Sequence, residues 1–184
     1  MRNLYWLITA CALGVVVHIL TLLFIPSMNF ERNLKGLTAD ISDNRFFVLP
    51  TTAQQSIFPE YPRGAVFGVC RFDLTAGSVA LNANLPDTLW TLTVYTRSGK
   101  VIYTVNDEQS GTDSFKLELV KAPGILEIFS ATGNEDNPVS SSGWRVSSSD
   151  ERGYAVFWVP SVDQAMRAGF AETLAKSSCE LLKV

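Results

Sequence analysis

The order of apolar and polar positions divides the chain into one long apolar run and a series of short alternating segments. The run, residues 4–25, has no charged side chain over 22 positions. A helix of this length covers about 33 Å at about 1.5 Å per residue, enough to cross a bilayer. Signal peptides have shorter apolar cores and a small-residue cleavage site, which residues 26–30 (PSMNF) do not offer. We therefore predict an uncleaved transmembrane anchor over residues 1–26.

A helical period continues beyond the anchor. Phe30, Leu34, Leu37 and Ile41 recur at helical spacing, with polar and charged residues between them. This spacing predicts a juxtamembrane amphipathic linker over residues 27–44, which packs on the following domain or lies on the lipid surface.

The period changes to two after residue 45, which is typical of half-buried strands. We predict strands at residues 46–49, 66–73, 78–85, 89–96, 101–105, 115–120, 125–130, 144–147 and 154–159. Residues 97–100 predict a hairpin turn in which Gly99 supplies a positive φ. Short strands without intervening helices predict a mainly β fold, an antiparallel and jelly-roll-like β-sandwich over residues 45–184.

The chain is expected to close on a C-terminal α-helix. Ser161 is the predicted N-cap, and Gln164 three residues later completes a capping box. The predicted core-facing side comprises Val162, Ala165, Met166, Gly169, Phe170, Thr173, Leu174 and Ser177.

Charge and histidine content narrow the functional classes. Residues 27–184 carry 14 Lys and Arg against 18 Asp and Glu, whereas a nucleic-acid binder needs a basic stripe. His18 is the only histidine and lies in the anchor, so the following domain cannot build a Ser-His-Asp triad or a His-ligated zinc site. An oxygen-rich turn beginning at Asn106 has Leu117 where a calcium loop needs Glu. We expect no enzyme, no cofactor and no metal site.

The cysteines indicate whether the following domain can form a disulfide and in which compartment it would persist. Cys11 lies in the anchor, which leaves Cys70 and Cys179 in the following domain. The short N-terminal tail with Arg2 favours a cytoplasmic N terminus and a periplasmic domain. A solitary pair in an oxidising compartment predicts a disulfide; the alternative is two buried free thiols.

Small and polar residues share one face of the predicted anchor. Ala10, Gly14, His18 and Thr21 fall within a quarter-turn at 100° per residue. Small residues four apart let helices approach closely, and an ionisable group in a membrane usually faces protein or water. We predict a transmembrane partner on this stripe; the alternative is a plain anchor.

Aromatic residues offer a second candidate surface. Trp144, Tyr61 and Tyr154 are the candidate ligand-facing side chains, because an open aromatic groove favours a ligand. Trp90 alternates with Leu92 and Val94, which favours core packing over a sugar-stacking role.

Three stretches carry a family resemblance: residues 69–77 (VCRFDLTAG), 85–95 (LPDTLWTLTVY) and 103–107 (YTVND). With the anchor and the late Cys179, they resemble small uncharacterised bacterial single-pass inner-membrane proteins of a domain-of-unknown-function family. The resemblance covers most of residues 46–180. It implies a periplasmic β-rich domain and the Cys70–Cys179 bridge, and it supplies no activity.

Together these features predict a membrane-anchored periplasmic binding or assembly protein of the bacterial inner membrane, in contact with another envelope protein. The expected partner is a membrane protein, a periplasmic protein or a second copy in a homo-oligomer. The alternatives are an envelope glycan- or lipid-binding sandwich and a histidine-free hydrolase.

Overall fold

The computed structural model describes residues 2–37, 42–57, 64–111, 114–123 and 143–182. The first element is helix α1, Arg2–Leu37. Its segment Asn3–Phe24 is long and apolar enough to span a membrane, and none of it is buried against the rest of the chain. The helix continues through Pro26, so the backbone does not mark the predicted boundary between anchor and linker.

Nine described strands form two sheets. They are β1 Arg45–Val48, β2 Val66–Asp73, β3 Val79–Asn84, β4 Thr91–Thr96, β5 Val101–Asn106, β6 Ser114–Lys121, β7 Trp144–Ser148, β8 Arg152–Val159 and β9 Ser178–Leu181. The first sheet has the order β1-β2-β8-β4-β5, and the second has the order β7-β6-β3-β9. The predicted mainly β fold is confirmed.

Strand pairing is mixed. Among the described strands, β6 and β7 pair in parallel, with Leu117 opposite Trp144, and the other pairings are antiparallel. The expectation of a purely antiparallel sandwich was therefore wrong at this one pair. A parallel pair needs a crossover connection rather than a hairpin, and residues 122–143 between the two strands are numerous enough for one. The jelly-roll arrangement stays a prediction, and the predicted strand at residues 125–130 lies outside the described residues.

The main core lies between the two sheets. Its largest fully buried side chains include Phe72, Phe115 and Phe157. Trp90 is 2% exposed, and its ring centroid lies 5.7 Å from that of Phe115 and 6.0 Å from that of Phe157. The prediction that Trp90 packs in the core is therefore confirmed.

The five-stranded sheet is buried on both faces at its centre. A second apolar cluster on its other face contains Phe67, Val69, Tyr154 and Val156. This burial explains why β2 and β8 read as nearly continuous apolar runs, whereas β3 in the other sheet alternates between buried and exposed residues.

One side of the sandwich is closed covalently. Cys70 in β2 and Cys179 in β9 form a disulfide with their Cα atoms 6.2 Å apart, as predicted. Helix α4, Gln164–Ala175, packs against β1 and β2 on this side. Leu174 of α4 is completely buried in the main core.

The end of the chain differs from the prediction. Asp163, not Ser161, is the N-cap of α4, and its side chain accepts a hydrogen bond of 3.2 Å from the Ala165 N–H. Val162 is fully exposed and Met166 half exposed, so neither belongs to the buried face. The chain does not close on the helix, because α4 ends at Ala175 and β9 follows as an edge strand.

Two short helices were not predicted: α2, Thr51–Ile57, and α3, Asp107–Ser110. The Asn106 side chain caps α3 by accepting a hydrogen bond from the Gln109 N–H, and the Asn106 N–H donates to the Gln109 side-chain oxygen. The predicted hairpin after β4 is confirmed, with φ of 88° at Gly99 and a bond of 2.8 Å from Thr96 N–H to Lys100 C=O.

Candidate functional site

The turns at one end of the sandwich bring charged side chains together. Asp73 ends β2 and Arg152 begins β8, and these residues lie opposite each other in the sheet. The Arg152 Nε donates to the Asp73 carboxylate at 2.7 Å. The Thr75 backbone N–H and hydroxyl donate to the other Asp73 oxygen at 2.9 Å and 2.6 Å. The Asp73 carboxylate therefore holds the β2–β3 turn to β8.

Burial and hydrogen bonding act in opposite directions on Asp73, which is 8% exposed. Burial alone would raise the pKa of its carboxyl group. The hydrogen bonds from Thr75 and Arg152, together with the Arg152 charge, outweigh burial and lower the pKa below its ordinary value. Asp73 is therefore held as a carboxylate at neutral pH.

A cleft of about 480 Å³ opens beside this pair. Its lining residues are Thr75, Arg97, Ser149, Asp150, Glu151 and Arg152. Lys121 donates to Glu151 at 2.7 Å at the exposed rim. Because charges of both signs line the cleft, it can form hydrogen bonds and ion pairs with polar groups, but it has no single-sign field that would select an ion.

The sequence did not reveal this cleft. Its residues come from three turns that are far apart in the chain and become neighbours only when the sheet forms. The available signal was that charged residues lie at or shortly after the ends of predicted strands, at Asp73, Arg97 and Glu151. Within the described ranges, no group of three or more His, Cys, Asp or Glu residues is placed to hold a metal ion.

The predicted aromatic surface is not brought together. Trp144 lies in β7 and is 43% exposed, whereas Tyr154 lies in β8 of the other sheet and is 5% exposed. The Trp144 ring centroid lies 6.2 Å from those of Tyr103 and Phe115. Tyr61 falls outside the described residues. The two described members therefore do not share a groove, and only Trp144 presents a large part of its ring to solvent.

The predicted helix stripe is exposed along α1. Ala10, Gly14, His18 and Thr21 are all exposed, and no atom outside the local helix backbone lies within 4 Å of a Cβ built on Gly14. The Thr21 hydroxyl donates to the Val17 carbonyl at 2.8 Å, so it is satisfied within the helix. The stripe thus has room for a close helix–helix contact, while the predicted partner stays a prediction.

No protein-family model and no curated protein matches the sequence. Solved structures with a similar fold include two from bacteria. The VPA0106 protein from Vibrio parahaemolyticus superposes with a TM-score of 0.56 at 12% identity, covering 86% of this chain and 36% of its own. An uncharacterized protein from Burkholderia cenocepacia superposes with a TM-score of 0.50 at 12% identity, covering 86% of this chain and 41% of its own.

These likenesses concern the fold alone. Both neighbours are uncharacterised bacterial proteins, which agrees with the bacterial character that the sequence resemblance implied. This chain spans less than half of either neighbour's length. A similar fold therefore forms part of these two longer chains.

Proposed function

We propose that the protein is a membrane-anchored assembly protein whose sandwich lies on the periplasmic side of the bacterial inner membrane. In this proposal it contacts another envelope protein and catalyses no reaction. The observation that carries it is the apolar segment Asn3–Phe24, which is wholly exposed. A globular fold rarely leaves so large an apolar surface in water, so lipid or another helix is its expected surrounding.

The disulfide supports the periplasmic location. Disulfides persist in oxidising compartments such as the bacterial periplasm and are rare in the cytosol. Cys70 and Cys179 both lie in the sandwich, after the membrane-length helix. This disulfide is therefore expected to persist if the N terminus lies in the cytoplasm and the sandwich lies in the periplasm.

The stripe of Ala10, Gly14, His18 and Thr21 is the proposed contact within the membrane. Its small members allow helix backbones to approach, and its polar members would be costly against lipid.

Substitutions on the stripe test the function. Gly14→Ile and His18→Leu should deplete at least one membrane protein that co-purifies with the full-length chain in mild detergent. Ala12→Ile and Ile19→Leu make matched changes away from the stripe and should leave that protein bound. If all four variants, at equal membrane levels, recover equal amounts of the co-purifying membrane protein, α1 serves only as an anchor, and the assembly function is contradicted.

A second candidate is an envelope glycan- or lipid-binding sandwich, favoured by the exposed ring of Trp144 beside Tyr103. Aromatic rings at a surface supply apolar area for such ligands. Trp144→Ala should then weaken retention on peptidoglycan or anionic vesicles, and unchanged retention would argue against this candidate.

A further inference from the structure

The two ends of the sandwich differ in their relation to α1. At one end, the cleft end, β2 finishes at Asp73, and the side chain of Asn44, just before β1, accepts a hydrogen bond of 2.8 Å from the Asp73 N–H. At the other end, the α2 end, Val66 of β2 lies opposite Val159 of β8, and β1 leads into α2. Helix α1 contacts α2. The helix therefore meets the sandwich at the α2 end, although the chain enters β1 at the cleft end.

The length of α1 keeps the α2 end close to the membrane. The apolar segment ends at Phe24, and none of it is buried against the chain, so α2 packs beside the part of α1 that follows. Residues 25–37 cover about 20 Å at about 1.5 Å per residue. Strand β2 covers about 26 Å at about 3.3 Å per residue. The α2 end thus lies nearest the point where the chain leaves the lipid, and the cleft end lies a strand length further along the sandwich.

The α2 end exposes large apolar side chains. Val162, which follows β8, is fully exposed, and Met166 in the first turn of α4 is half exposed. Leu89, just before β4, is also half exposed. Arg167 donates to the Thr51 hydroxyl of α2 at 2.8 Å, so the first turn of α4 lies directly beside the helix that α1 contacts.

The apolar face of α4 is longer than the part that the core buries. Leu174 lies in the main core and Phe170 packs against it. Ala165, Met166 and Gly169 continue this face toward the start of the helix, and all three are exposed. An apolar helix face that remains in water indicates a further contact.

We propose that the α2 end of the sandwich rests on the periplasmic lipid surface, with Val162, Met166 and Leu89 against the bilayer and the charged cleft turned away from it. Lipid is the occupant that α1 brings to this end, because the same helix leaves the bilayer near Phe24. Apolar side chains at such a surface are buried at the boundary between headgroups and acyl chains. The inference rests on the proposed membrane-anchored function and adds to it a contact surface and an orientation.

The charge of the α2 end makes the anchor necessary for this contact. Asp87 before β4, Glu108 after β5 and Asp163 at the start of α4 are exposed there, so anionic lipid would repel this end. The anchor holds the apolar side chains beside the lipid at a high effective concentration. The contact is therefore expected to form in lipid without net charge.

Quenching of a fluorescent label tests the contact. Val162→Cys and the control Val101→Cys are each made in the full-length chain with Cys11→Ser and labelled with nitrobenzoxadiazole. Val101 is also a half-exposed or more exposed valine, but it follows the hairpin at the cleft end. Both proteins are reconstituted in phosphatidylcholine vesicles with or without bromine on the acyl chains. The label of Val162→Cys should lose fluorescence in brominated lipid and be shielded from iodide, whereas the label of Val101→Cys should respond only to iodide.

A label on the native Cys11 separates this inference from the anchor itself. If brominated lipid quenches the Cys11 label but not the Val162→Cys label, the docking is overturned and the anchor stands. Equal quenching of Val162→Cys and Val101→Cys would overturn the orientation. A Val162→Cys label that is shielded from iodide but unaffected by brominated lipid would indicate a protein contact, such as a second copy, and would also overturn the docking. An unquenched Cys11 label would contradict the anchor and with it the proposed function.

Discussion

Cys70 and Cys179 lie 109 residues apart in sequence, and their disulfide joins the inner strand β2 of one sheet to the edge strand β9 of the other. Both residues are almost fully buried. The bond sits beside α4, on the side opposite the β5 and β7 edges. The disulfide therefore ties β9, the last described strand, to β2 in the opposite sheet.

Removing this disulfide should destabilise the domain strongly. Replacing both Cys70 and Cys179 with alanine should lower the free energy of unfolding by about 4–5 kcal/mol, since the bond closes a loop of about 100 residues. Urea unfolding of both full-length proteins in the same detergent measures the difference. Reductant should destabilise the wild type and leave the double variant unchanged; equal midpoints for the two proteins would contradict the prediction.

The Asp73 carboxylate should make stability depend on acid pH. The pKa of Asp73 is lower in the folded state than in the unfolded chain. The stability that its ionised carboxylate adds is therefore fully present above the unfolded-state pKa of about 3.9 and is lost as pH falls through the folded-state pKa. Asp73→Asn should lower the free energy of unfolding by about 2 kcal/mol at pH 7, because charge-assisted hydrogen bonds are lost.

The check is urea unfolding between pH 3 and pH 7. The difference in stability between wild type and Asp73→Asn should shrink at the acid end. Asp87→Asn, in an exposed loop position, is the control and should track the wild type. A difference for Asp73→Asn that stays constant over this range would show that its charge is not what stabilises the turn.

Two glycines should respond to alanine with opposite signs. A Cβ at Gly153 would collide with the Tyr95 carbonyl and the Phe72 ring, so Gly153→Ala should cost about 1–3 kcal/mol. Gly169 lies in α4 with open space around it, so Gly169→Ala should add about 1 kcal/mol through helix propensity. Thermal unfolding measures the stability of both variants. A stable Gly153→Ala variant would contradict the packing at Gly153, and a destabilised Gly169→Ala variant would contradict the open space at Gly169.

Orientation in the membrane can be read with reporters. A phosphatase that is active only outside the cytoplasm, fused after Val184, should be active, and a fluorescent protein that folds only in the cytoplasm should be dark at the same position. The reverse pattern would place the sandwich in the cytoplasm and remove the setting in which its disulfide is expected.

The sequence predicted the strands that alternate or that form a bounded apolar run, and it missed short elements with neither pattern. Strand β2 was predicted with its bounds, because its apolar run is closed by turn residues on both sides. Strand β9, SCEL, is too short to show a period and begins only three residues after the end of α4, so no strand was predicted there. Helix α2 was missed because TTAQQSI has no apolar face to show a helical period.

The sequence predicted the membrane-length helix and the mainly β architecture, and it favoured a disulfide between Cys70 and Cys179 over two free thiols, because each of these depends on local composition or on the number of available cysteines. Only the tertiary structure decided that β6 and β7 run parallel, that Asp73 meets Arg152, and that β5 is an uncharged edge. Strand order and edge position depend on which apolar faces bury together across the whole chain. That choice is a property of long-range packing, which local period and spacing do not encode.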